Sequence, residues 1–130
     1  DPITAAVQTA KPWIAENAFL QRIKRTATDY GCCFVLVTHP AKTIEKPDLS
    51  AMAGSAAYSR FAQAILWLRS HQHKDSPIRT DCGTVAESHN RTVHILKARN
   101  GKGQGMSVAC EFDSETLTLR ELGLIIKKDK

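Results

Sequence analysis

The run Cys33-Phe34-Val35-Leu36-Val37 carries no polar side chain and ends abruptly in Thr38-His39-Pro40. Five apolar residues are too few for a buried helix, and the run lacks the polar alternation of a half-exposed strand. The pattern therefore predicts a parallel strand covered on both faces. In open parallel sheets ligands sit just beyond the carboxyl ends of such strands, which makes Thr38 and His39 the first candidate functional residues. Ala64-Ile65-Leu66-Trp67-Leu68 is a second uninterrupted apolar run and predicts a second buried strand.

The segments around these runs predict a mixed architecture. Thr9 to Tyr30 reads as a helix: Pro12 suits a first turn, Phe19, Ile23, Ala27 and Tyr30 recur at helical spacing, and Gly31 stands where a helix ends. Ala41 to Ala53 has little periodicity and reads as a surface loop, and Ala56 to Gln63 as a short Ala-rich helix packed on the sheet. Ser70 to Asn90 turns polar, with Pro77, Gly83 and three histidines, and reads as a long excursion from the compact fold. Beyond it, alternation around Val93 and Ile95, then Val108, Cys110 and Phe112, then Leu117 and Leu119 predicts three antiparallel strands. Asn100 to Gly105 and Asp113-Ser114-Glu115 supply their turns. The fold expected is one α/β domain over residues 1 to 130, a parallel portion followed by an antiparallel three-stranded portion.

Composition narrows the partners more than the chemistry. A hydrophobic content of 42% with 24% charged residues is ordinary for a soluble domain. The net charge of +5 and pI near 9.2 favour a polyanionic partner, because clustered Lys and Arg attract phosphates over long range. No apolar stretch approaches a membrane span, and the start shows no signal peptide, so the expected compartment is the cytoplasm. Cys32, Cys33, Cys82 and Cys110 include an adjacent pair, which is poor disulfide geometry, and reduced thiols are expected. Asp1 stands without an initiator Met, which suggests a segment of a longer protein.

Three readings compete for the polar residues, and a Cys32 or Cys33 nucleophile with His39 is ruled out because opposite ends of one strand lie roughly 20 Å apart. His71, His73, Cys82 and His89 are metal-ligand types within one segment, but their spacing matches no paired ligand pattern. Lys97-Ala98-Arg99-Asn100-Gly101 places two cations two residues apart at a strand end, so both lie on one side of it, an arrangement suited to a phosphate.

Asp1-Pro2, Leu36-Val37-Thr38-His39-Pro40, Gly54-Ser55-Ala56-Ala57 and Lys97-Ala98-Arg99-Asn100-Gly101, in that order, resemble the second half of a RecA-like ATPase core. The resemblance covers nearly the whole chain and points to hexameric replicative helicases of the DnaB, phage or mitochondrial primase-helicase and plasmid RepA-like types. It implies that Asp1 ends the Walker B strand and holds the Mg²⁺ of bound ATP through water. It further implies that Thr38 and His39 form a γ-phosphate sensor and that Lys42 and Lys46 lie on a loop facing single-stranded DNA. Lys97 and Arg99 would then reach the ATP of a neighbouring subunit in a homo-oligomeric ring, as an arginine finger and its companion. No G-x-x-x-x-G-K-[ST] phosphate loop occurs, so this chain alone is not expected to hydrolyse ATP. The alternative is a non-catalytic nucleic-acid-binding or assembly module.

Overall fold

A computed structural model describes residues 12 to 39, 46 to 49 and 57 to 126. The chain divides into two compact units, residues 1 to 62 and 63 to 130. No helix among the described residues is long and apolar enough to cross a membrane.

The first unit contains helix α1, Pro12–Tyr30, and the short helix α2, Ala57–Phe61. Proline is suited to open α1 because its missing N–H would have no intrahelical partner there. Gly31 closes it with a φ of +60°, and Cys32 N–H reaches back to the Ala27 carbonyl at 3.1 Å, which satisfies a carbonyl that the last turn leaves without a partner. Leu20, Ala57 and Tyr58 form a small buried cluster with Phe19 and Phe61 against it, so α2 packs on α1. Burial and the Glu16 carboxylate raise the Tyr58 phenol above its ordinary value.

The expected parallel strand is not formed. Residues 32 to 39 lie outside helices and strands, and Val35 is 85% exposed. A parallel pair needs a crossover connection, whereas antiparallel neighbours need only a turn, and every strand among the described residues finds its partner antiparallel. The second apolar run does become strand, but its partner is the segment that follows it in sequence. It alternates between exposed and half-buried, with Leu66 64% exposed, as a one-sided antiparallel strand does.

The second unit is an antiparallel sheet of four strands: β1 Ala64–Thr80, β2 Gly83–Ala98, β3 Ser107–Asp113 and β4 Thr118–Ile125. The three strands expected after Asn90 are present. The polar stretch from Ser70 to Asn90 is no excursion: it is the distal half of one long β1–β2 hairpin turning at Asp81-Cys82. Its pairing places Ile78 opposite Val85 and Pro77 opposite Ala86. Between Ser70 and Lys74 the register shifts, so that His71, Gln72 and His73 stand against Asn90 alone. Extra residues on one strand bend it and increase its twist. Beyond the bend, Ile78 and Arg79 pair with Ile125 and Leu124 of β4, and the sheet closes into a small barrel.

Closure depends on Gly123. Its φ is +140°, and a side-chain carbon there would lie 2.5 Å from the Arg79 carbonyl oxygen and 2.7 Å from Ile78 Cγ2. Ile78, 0% exposed, is the largest apolar side chain fully enclosed among the described residues. Gly123→Ala should destabilise the barrel by about 2–4 kcal/mol through overpacking and backbone strain, measured by denaturant unfolding. In the β3–β4 turn Leu117 holds a left-handed φ of 54° on an exposed side chain. Leu117→Gly should relieve that strain and stabilise the protein by about 0.5–1 kcal/mol in the same measurement.

Candidate functional site

Lys97 and Arg99 stand at the end of β2 that leads into the glycine-rich turn. Lys97 pairs with Ile65 of β1, and the Arg99 N–H donates to the Gln63 carbonyl at 2.9 Å, which ties the strand end down one residue beyond the ladder. The turn is fixed by backbone hydrogen bonds. Gly105 N–H donates to the Ile95 carbonyl at 2.8 Å, Ile95 N–H to that of Met106 at 3.0 Å, and Met106 N–H to that of Gly103 at 2.9 Å. Gly103 takes a φ of +119°, a backbone conformation that residues with a side chain rarely adopt. A held strand end therefore carries the two cations.

Their electrostatics follow from this proximity. Burial first, and then the Arg99 charge, hold the Lys97 ammonium below its ordinary 10.5. Two like charges kept together by a rigid backbone favour an anion that both can reach.

Thr38 and His39 lie in the first unit, Thr38 partly buried and His39 exposed, and neither ends a strand. Lys46 is exposed. Asp1 and Lys42 lie outside the described residues.

A second polar cluster, which the sequence reading did not assemble, occupies the bend of the long hairpin. His71 Nδ1–H donates to the Gln72 carbonyl at 2.7 Å, and Nε2 is hydrogen-bonded to the Thr92 hydroxyl at 2.9 Å. His73 Nε2–H donates to Glu111 Oε1 at 3.0 Å, and Asn90 Nδ2 reaches the same oxygen at 3.4 Å. Asn90 also exchanges two bonds with the Phe112 backbone: Nδ2 donates to its carbonyl at 2.9 Å and Oδ1 accepts from its N–H at 2.8 Å. The amide thus replaces the backbone partner that β2 withdraws where it bends, just past the last ladder pair, Arg91 with Cys110. The Arg91 guanidinium lies over the Phe112 ring at 5.0 Å and shields it. Burial and Glu121 raise the Cys110 thiol above its ordinary 9.0, so it stays protonated, and all four cysteines are free thiols.

No group of three His, Cys, Asp or Glu side chains suited to a metal ion forms among the described residues. Cys82, at the hairpin turn, is exposed, whereas His89 is enclosed at the bend. The signal for this cluster was present in the histidines and in Asn90. Its assembly depends on a two-residue register offset and on a third strand, neither of which local periodicity reveals. No protein-family profile matches the chain, and no curated protein matches it.

Asn90→Ala removes both side-chain bonds to Phe112 and leaves its backbone groups without them. The expected loss of stability is about 1–3 kcal/mol by denaturant unfolding, and Asn90→Asp, which sets a carboxylate oxygen against the Phe112 carbonyl and Glu111, should lose at least as much.

Proposed function

We propose that the chain supplies phosphate-contacting cations to an ATP-driven motor that translocates on single-stranded DNA in the cytoplasm. The observation that carries this reading is the Lys97–Arg99 pair, held at one strand end by backbone bonds beside a glycine-rich turn and close enough that Arg99 lowers the Lys97 proton affinity. A cation presented from a rigid edge suits action across a subunit interface, where it stabilises charge developing on the transferred phosphoryl group. The order of the sequence motifs supports the same reading. Asp1 would hold Mg²⁺ of the ATP through water, Thr38 and His39 would sense the γ-phosphate, and Lys42 and Lys46 would meet DNA in a homo-oligomeric ring. The reading rests on these motifs and on the strand-end cations.

A second reading, a non-catalytic nucleic-acid-binding module, is favoured by the basic balance of +5 together with a small closed antiparallel sheet. The two separate on one variant. In the protein that carries this chain, Arg99→Ala should lower DNA-stimulated ATP hydrolysis by about 10³-fold or more while nucleotide binding stays within about twofold. Unchanged turnover would overturn the motor reading. DNA binding that weakens steeply with salt and is indifferent to nucleotide would favour the module.

A further inference from the structure

The bend of the β1–β2 hairpin encloses an imidazole at the point where the sheet turns. His89 is 0% exposed, and neither of its ring nitrogens makes a hydrogen bond. Its ring meets that of His71 edge-on, with centroids 5.0 Å apart, and Lys74 is its cross-strand neighbour. From β3 and β4 the titratable residues nearest in register are Cys110, a protonated thiol, Glu111, engaged by His73 and Asn90, and Glu121 opposite Cys110. A proton on His89 would therefore be enclosed beside a second imidazole and an ammonium, without a carboxylate bonded to its ring.

The hairpin beyond this point is held to the rest of the barrel by a short seam. Ile78 pairs with Ile125, Arg79 with Leu124, and Ile126 N–H donates to the Pro77 carbonyl at 2.9 Å. The β2–β3 and β3–β4 ladders are longer. An added charge at the bend should therefore release the seam first, because sub-global opening follows the least-bonded contacts.

We propose that this bend is an acid-sensitive latch: protonation of His89 between His71 and Lys74 releases the distal half of the β1–β2 hairpin from β4. The direction of proton affinity agrees. Burial, then His71, then Lys74 lower the His89 value from 6.5, and the backbone carbonyls of Glu87 and Lys74, which favour the charged ring, oppose this. The open form thus binds the proton more tightly than the closed one. The closed form is fully favoured above the ordinary histidine value of 6.5 and loses ground as pH falls through it toward the lower closed-form value.

Hydrogen exchange of the whole chain at about pH 7.5 and about pH 5.5, corrected for intrinsic rates, tests this. Protection at residues 78, 79 and 124 to 126 should fall by roughly tenfold at the lower pH, while the 91 to 94 and 107 to 110 amides keep theirs. His89→Phe, which cannot take a proton, should remove the pH dependence of the seam. Should that variant not fold, the His89 ring titration in the wild-type chain, followed by NMR, decides. A midpoint below 6.5 that coincides with loss of seam protection sustains the latch. Seam protection that does not change with pH, or changes equally in His89→Phe, overturns it.

Discussion

Everything in the second unit depends on the absence of a side chain at Gly123. Four strands of this length cannot bury an interior unless the sheet turns back on itself, and here the turn is completed where β4 runs against the Ile78–Arg79 backbone. At a side-chain carbon's distance of 2.5 Å from a carbonyl oxygen, even alanine is excluded. The close approach encloses Ile78 and brings Pro77 within hydrogen-bonding reach of Ile126. Proline is tolerated in this strand because the bond it makes there uses its carbonyl, which it retains, and not an N–H.

Closure in turn requires β1 and β2 to bend together, and bending breaks the ladder. The interior is correspondingly polar: His89, Thr92 and Ser107 are buried alongside Ile78, Ala109 and Cys110. With so little apolar area enclosed, hydrogen bonds worth about 1 kcal/mol each decide which strands stay together. The Asn90 amide is placed where the backbone ladder fails, and His71 orders Thr92 on the adjoining turn of the strand. His89 is the exception, a buried ring that the network leaves out. An excluded polar group at the point of greatest curvature makes the bend both necessary to the fold and sensitive to charge.

The antiparallel strands after Asn90 were legible because their side chains alternate with period two and their turns are rich in glycine or Asp. The Gly31 helix end was legible for the same kind of local reason, since its left-handed φ needs no tertiary contact. The Cys33 to Val37 run misled because an uninterrupted apolar run reports burial only if other strands flank it, and the sequence of the run says nothing about its neighbours. Ser70 to Asn90 misled in the opposite sense. Its polar residues face outward on a hairpin whose inward signal is reduced to Ile78 and His89, and Pro77 argued against a strand. Of the candidate sites, Lys97 and Arg99 came together as the period of two requires, whereas the histidine cluster depends on a register offset that sequence spacing conceals.

The two polar features of β2 have opposite mechanical characters. At its carboxyl end the cations are carried on backbone tied at Gln63, Ile95, Gly103 and Met106, so their mutual repulsion cannot be relaxed by moving the strand. In the proposed reading an anion would relieve that repulsion, and binding one would raise the proton affinity of Lys97 that burial and Arg99 lower. At the bend the ladder is interrupted and the seam beyond it is short, so in the proposed latch added charge is relieved by opening. Under the two proposals one strand would answer negative charge by binding and positive charge by yielding, and the difference would lie in how many backbone bonds hold each place.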